Sequence, residues 1–240
     1  NIETKNIIII MSMVQITDWI KNNNLIADYK EKIAICENDK RETPYYWVRQ
    51  WVYNNLPDYI SSFDDSVSQG QYDSKKWLCD ELKKIKIYQP SHIDIIGSWF
   101  AFPMIEMLAN IIKIKQVDLF DIDENCHFVT AQYTNHFDLD FKIVQFSDAF
   151  ERKDWRRRHI VINTSSEHMK DTAFMKSHYK DYPTTPLLVL QSNNYFELDE
   201  HINCVKSENE LIEKNQIREV YFKGKQSLPM YERYMVIGRW

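Results

Sequence analysis

Three residues of this 240-residue chain, Gly97, Asp121 and Asp148, are of the types and spacing that could hold a nucleoside. A glycine lets the backbone approach a ligand with no side chain in the way. A carboxylate about 20 residues later is the usual partner of ribose hydroxyls, and Asp121 stands at about that distance from Gly97. Asp148, further on, can accept a hydrogen bond from an adenine amino group. A second set, Glu167-His168 and Glu200-His201, poses a metal question. Two Glu-His pairs could meet across neighbouring loops as mixed oxygen and nitrogen ligands. Adjacent residues rarely both point at one ion from regular structure, so the expectation is no metal.

The elements that must position these groups are legible from apolar runs. Residues 93–96, 117–120 and 141–146 are short and β-rich and alternate with two helix-length segments, which predicts β-α-β-α-β with a parallel sheet. Gly97 and Ser98 close the first run, Asp121 and Asp123 the second, Ser147 and Asp148 the third. In open α/β sheets ligands bind at those carboxyl ends. A helix expected near Phe100 would turn its N-terminal N–H groups toward the ligand. A fourth strand, 160–163, delivers Asn163, Thr164, Ser165, Ser166, Glu167 and His168. A fifth, 186–190, delivers Gln191, Ser192, Asn193, Asn194 and Tyr195. Two polar clusters following apolar strands fit substrate recognition. Two last β-rich runs, 217–222 and 231–237, are separated by KGKQSLPM and suit a long hairpin, with Lys223 and Lys225 in its connection.

Gly97-Ser98-Trp99, then Phe120-Asp121-Ile122-Asp123-Glu124, then Phe146-Ser147-Asp148-Ala149-Phe150 resemble motifs one, two and three of the class I S-adenosylmethionine-dependent methyltransferases. The resemblance runs from about Tyr88 to the C-terminus. It implies an α/β, Rossmann-like, mostly parallel seven-stranded sheet with an antiparallel C-terminal hairpin. By position it puts the cofactor's methionine moiety near Gly97, Ser98 and Trp99, its ribose on Asp121 and its adenine beside Ile122 and Asp148. Asp123, Asn163 and Thr164 complete the implied cofactor set. The first motif departs from the family, because Trp99 and Ala101 stand at its later glycine positions and Asp94 lies three residues before Gly97.

Methyl transfer asks the protein to hold the nucleophile in line, exclude water and, for a protonated nucleophile, supply a base. His168 is the first candidate base because imidazole titrates near neutrality, with Glu167 or Glu200 to orient it and His201 as the second candidate. The expected acceptor is a small molecule or a nucleoside. An RNA methyltransferase is the alternative, resting on the basic run ERKDWRRRH at 151–159 and on an aromatic helix. Further alternatives are transfer of the cofactor's aminocarboxypropyl group, cofactor cleavage, and a non-catalytic subunit with the methyltransferase fold. The basic run itself is expected to be a solvated face at the amino ends of the parallel strands.

Before the sheet, residues 1–87 read as a helical extension, with helices at 18–23 and 26–36 and a third opening at Thr43-Pro44 and ending before Pro57. In that third helix, PYYWVRQWVYNNL, most rings form one apolar stripe. Tyr46 and Arg49 are kept as substrate-binding candidates, because N-terminal helices in the family often fold over the cofactor as a lid. Residues 61–72 read as a loop, and Asp73 as the cap of the helix that follows. The domain boundary is expected at about residue 87.

The net charge of -5 and pI near 5.8 argue against a sequence-indifferent nucleic-acid binder. Cys36, Cys79, Cys126 and Cys204 lack zinc-type spacing and read as reduced core thiols of a cytoplasmic protein. The apolar run at 7–14 is too short to span a bilayer, so no membrane partner is expected. Only four glycines, against abundant Asn, Lys, Ile and Tyr, suggest an AT-rich gene of phage, viral or bacterial origin.

Overall fold

The computed structural model describes residues 44–134, 139–152, 155, 159–180 and 184–240. The helices expected at 18–23 and 26–36, and Cys36, lie outside the described residues. Two compact units form, one from 44–75 with 128–134, the other from 76–127 with the described part of 139–240.

In the first unit the helix Pro44–Asn55 buries Tyr45, Tyr46, Val48 and Val52, while Trp47 stays half exposed, in line with an apolar stripe. Tyr45 meets Tyr133 edge-on and Phe63 stacks on the same ring. Phe63 corrects the sequence reading of 61–72. A helix, Ile60–Ser66, forms there, and the next one, Gln69–Leu82, starts well before Asp73. Buried Phe63 and Val67 supply an apolar face that outweighs the polar composition. Gly70 lies on open helix surface, where an added Cβ would meet nothing, and Asp73 accepts from Gln69 instead of capping.

The second unit is built on a seven-stranded sheet of order β3-β2-β1-β4-β5-β7-β6. Its strands are β1 Ser91–Ile96, β2 Ile114–Phe120, β3 Lys142–Phe146, β4 Ile160–Asn163, β5 Leu187–Asn193, β6 Glu219–Ser227 and β7 Glu232–Arg239. The first five run parallel, and β7 enters antiparallel between β5 and β6. This is the mostly parallel sheet with an antiparallel hairpin that the motifs implied. Every residue of β4 and β5 is buried, which explains their apolar runs at 160–162 and 187–190, whereas no residue of edge strands β3 and β6 is buried. The order reverses beside β1, whose end Ile96 pairs with Phe120 on one side and Asn163 on the other. That reversal sets the crevice.

Four local readings need correction. The helix after β1 is Met104–Ala109, so Trp99 to Pro103 form an irregular loop and no helix N-terminus lies at Phe100. β5 runs to Asn193, which buries Gln191, Ser192 and Asn193 inside the sheet. Pairing with β7 extends it, with Gln191 opposite Met235 and Asn193 opposite Arg233. Lys223 and Lys225 belong to β6, an edge strand that tolerates charge on its exposed faces, and Lys225 pairs with Glu232 of β7 at 2.6 Å.

The fourth concerns the basic run. Arg152 turns inward, its guanidinium 3.1 Å from Asp118 and 3.9 Å from Asp94, two buried carboxylates opposite each other on β2 and β1. It also lies over the rings of Phe120, Phe146 and Trp155, at 5.0, 4.8 and 5.2 Å. Trp155 is itself in the core. Two carboxylates on one sheet face need a cation beneath them, and this outweighs the solvation of one arginine. Asp94 is thus part of a structural ion pair.

Candidate functional site

The loop after β1 is held in an uncommon backbone path. Gly97 has φ +62, and Trp99 and Ala101 have φ 49 and 62. The two residues standing where the family has glycine therefore take the conformation that glycine favours, at a cost of about 1–2 kcal/mol each. A Cβ on Gly97 would lie 2.5 Å from Met169 Cε and 3.5 Å from Ser165 Cβ. The Ser165–Met169 turn thus packs directly over Gly97.

Asp121 holds this path in place. One carboxylate oxygen accepts the Trp99 N–H at 2.7 Å, the other the Asp123 N–H at 3.0 Å. One side chain thereby fastens the loops after β1 and β2 to each other. Burial pushes its carboxyl above the ordinary range, opposed by those two amides and by His127. His127, which the sequence reading passed over, sets its Nε2 at 3.0 Å from the Asp121 carbonyl, while its Nδ1 is buried without a hydrogen-bond partner. Its only signal was its place on the first turns of the helix Glu124–Thr134.

Beside Asp121, Ile122 is 81% exposed, an apolar side chain presented to whatever enters the crevice. Asp123 caps the helix Glu124–Thr134 by accepting the Asn125 N–H at 2.9 Å. Asp148 is half-buried and accepts the Phe150 N–H at 2.7 Å. The Ser98 hydroxyl is buried and has no hydrogen-bond partner. Asn163, at the end of β4, receives the Ser165 N–H and reaches Met169 Sδ at 3.2 Å, and Thr164 beside it is half-buried.

The candidate catalytic residues converge. Glu167 and His168 lie on the 3-10 turn Ser166–His168, and His201 comes from the loop after β5. Their ligating atoms lie within 4.8 Å of one another, and among the described residues this is the one such group of three metal-capable side chains. The His168 and His201 rings meet edge-on at 4.6 Å. Glu200 is exposed and outside the group. Cys204, unforeseen as a neighbour, sets its Sγ 3.7 Å from His201 Nδ1, and burial pushes its thiol up.

The acceptor candidates divide. Asn193 is buried and donates to Glu167 Oε1 at 2.7 Å, and Gln191 is buried against Met235. Asn194 bonds the backbone of Glu232 in both directions, and Tyr195 stacks on Tyr231 at 5.7 Å. In the first unit Tyr46 is buried, and Arg49 grips Asp64 through two 2.8 Å hydrogen bonds. Cys79, Cys126 and Cys204 are buried free thiols, and no helix among the described residues is long and apolar enough to cross a membrane.

No protein-family model and no curated protein matches the sequence. Solved structures do match the fold. A geranyl diphosphate methyltransferase, solved with its diphosphate and sinefungin, superposes with a TM-score of 0.57 at 9% identity, over 78% of this chain and 85% of that one. A mycolic acid cyclopropane synthase complexed with S-adenosylhomocysteine gives 0.54 at 9% identity, over 71% and 84%. The N-methyltransferase NodS of Bradyrhizobium japonicum gives 0.53 at 12%, over 70% and 95%.

Proposed function

We propose that this chain, which has the fold of the class I S-adenosylmethionine-dependent methyltransferases, is itself such an enzyme and acts on a small molecule or nucleoside. The observation that carries this reading is Asp121, whose carboxylate joins the loops after β1 and β2 where the strand order reverses. The side chains present fit the cofactor. The left-handed Gly97 adds no side chain of its own beneath the flexible end of Met169, Ser98 offers a buried hydroxyl without a partner, and Ile122 offers an exposed apolar face.

S-adenosylmethionine, when bound, supplies an electrophilic methyl group on a sulfonium. Asp121 accepts the ribose hydroxyls on lone pairs that its two backbone amides leave over. Ile122 covers one face of the adenine, and Asp148 faces its amino group. Gly97, Ser98 and Trp99 would border the methionine end, which requires the flexible Met169 side chain to shift from its place over Gly97. Tyr195 and Asn194 orient the acceptor. The proton it releases goes to the cluster of Glu167, His168 and His201, with His168 the exposed imidazole. The RNA alternative loses one of its arginines, because Arg152 of the basic run pairs with Asp118.

The test is calorimetric titration of the purified chain with S-adenosylmethionine and S-adenosylhomocysteine. Saturable one-to-one binding is expected at micromolar concentration. No heat up to millimolar ligand refutes the reading and favours a non-catalytic subunit.

A further inference from the structure

We propose that Glu167, His168 and His201 bind a first-row divalent transition-metal ion, with zinc or manganese the best matched. Glu167 is 4% exposed, and its two oxygens differ. Oε1 accepts from Asn193 Nδ2 at 2.7 Å, whereas Oε2 is buried and has no hydrogen-bond partner. A buried carboxylate oxygen in that condition is costly without a partner, and a cation held between it and two imidazoles supplies one. His201 is set as a ligand too. Its Nδ1 lies 2.7 Å from the Tyr195 carbonyl oxygen, which can only accept. Nδ1 therefore carries the proton and Nε2 keeps its lone pair, the state that a backbone carbonyl imposes on metal-bound imidazoles.

The surrounding shell is already built. Asn193, which holds Glu167, also accepts the Tyr195 N–H at 2.9 Å and the Cys204 thiol at 3.4 Å. The Asn203 N–H donates to the Glu167 carbonyl at 2.8 Å, which ties the two contributing loops together. His168 supplies the third ligand from the exposed side. Bonds of about 2.0–2.2 Å to one ion leave ligand atoms at most about 4.4 Å apart. The 4.8 Å limit of the present cluster closes by rotating the exposed His168. One carboxylate and two imidazoles favour zinc, manganese or iron over magnesium or calcium, which prefer all-oxygen shells.

The expectation of no metal from sequence considered adjacent residues on regular structure. Here the third ligand comes from another loop, and a turn carries the first two. Three protein ligands leave positions open for an acceptor oxygen, whose proton the ion would make easier to lose. In that case the imidazoles act through the ion rather than as free bases.

The experiment titrates the full chain, stripped with chelator and exchanged into metal-free buffer, with zinc, manganese and magnesium by calorimetry and with cobalt by visible absorption. One-to-one binding is expected for the transition ions, much tighter than for magnesium, with a d–d band on cobalt addition. Glu167→Gln and His201→Ala should each weaken it more than about 10-fold. His168→Ala, at an exposed position, should do the same while keeping the wild-type circular dichroism and melting temperature. Absence of saturable binding in the stripped wild type overturns the proposal, as does wild-type affinity retained in both His168→Ala and His201→Ala. Titrating the same stripped protein with S-adenosylhomocysteine separates the two readings, since metal binding needs no cofactor.

Discussion

Replacing Asp121 tests the hinge of the whole site. Its carboxylate accepts two backbone N–H groups from two different loops, one of which contains Trp99 and Ala101 at positive φ. Hydrogen bonds to a charged group contribute about 1.5–3 kcal/mol each. Asp121 is half-buried, so water replaces part of what is lost, and the lower end applies. Asp121→Ala should therefore cost about 3 kcal/mol, and Asp121→Asn, which keeps one acceptor, about half of that. Urea unfolding at neutral pH, followed by far-UV circular dichroism, measures both.

The pH dependence has a definite sign. Burial raises the folded-state pKa of Asp121 above its unfolded value of about 4, so between the two the native state holds more protons. Stability from this group therefore falls as pH rises through that window. The advantage of the wild type over Asp121→Asn should be largest in acid and shrink toward neutrality. An Asp121→Ala variant within about 0.5 kcal/mol of wild type would refute the idea that this carboxylate fastens the loops.

Ile122→Ala removes an exposed side chain, so stability should stay within about 0.5 kcal/mol while S-adenosylhomocysteine affinity, read by calorimetry, falls. Unchanged affinity would take Ile122 out of the cofactor site. Arg152→Met withdraws a cation from beneath Asp94 and Asp118 and should cost about 3–5 kcal/mol in urea unfolding. A near-neutral result would mean that the arginine is a surface group after all. Gly97→Ala forces a side chain into φ +62 and against Met169, which predicts a loss of about 1–2 kcal/mol and a lower melting temperature. A variant as stable as wild type would show that the loop can relax.

What the sequence determined by itself was local. Ile160–Asn163 was readable to the residue because the buried body of a central parallel strand is an apolar run that a polar residue at the crevice ends, and β1 and β2 were placed through their buried halves. The acids and glycine that end those runs marked the crevice, since strand ends and side-chain types are written along the chain. Glu167, His168 and His201 were legible as chemistry for the same reason.

Tertiary structure decided the pairings. Nothing local to Asp121 says that it accepts from Trp99, nor that Glu167 and His201 meet while Glu200 stays outside. The inward turn of Arg152 depends on Asp94 and Asp118 sharing a face, and the burial of Gln191 and Asn193 on β7 arriving alongside β5. Such contacts are set by which strands lie side by side and in what register. Those are properties of the folded chain that local sequence periodicity does not carry.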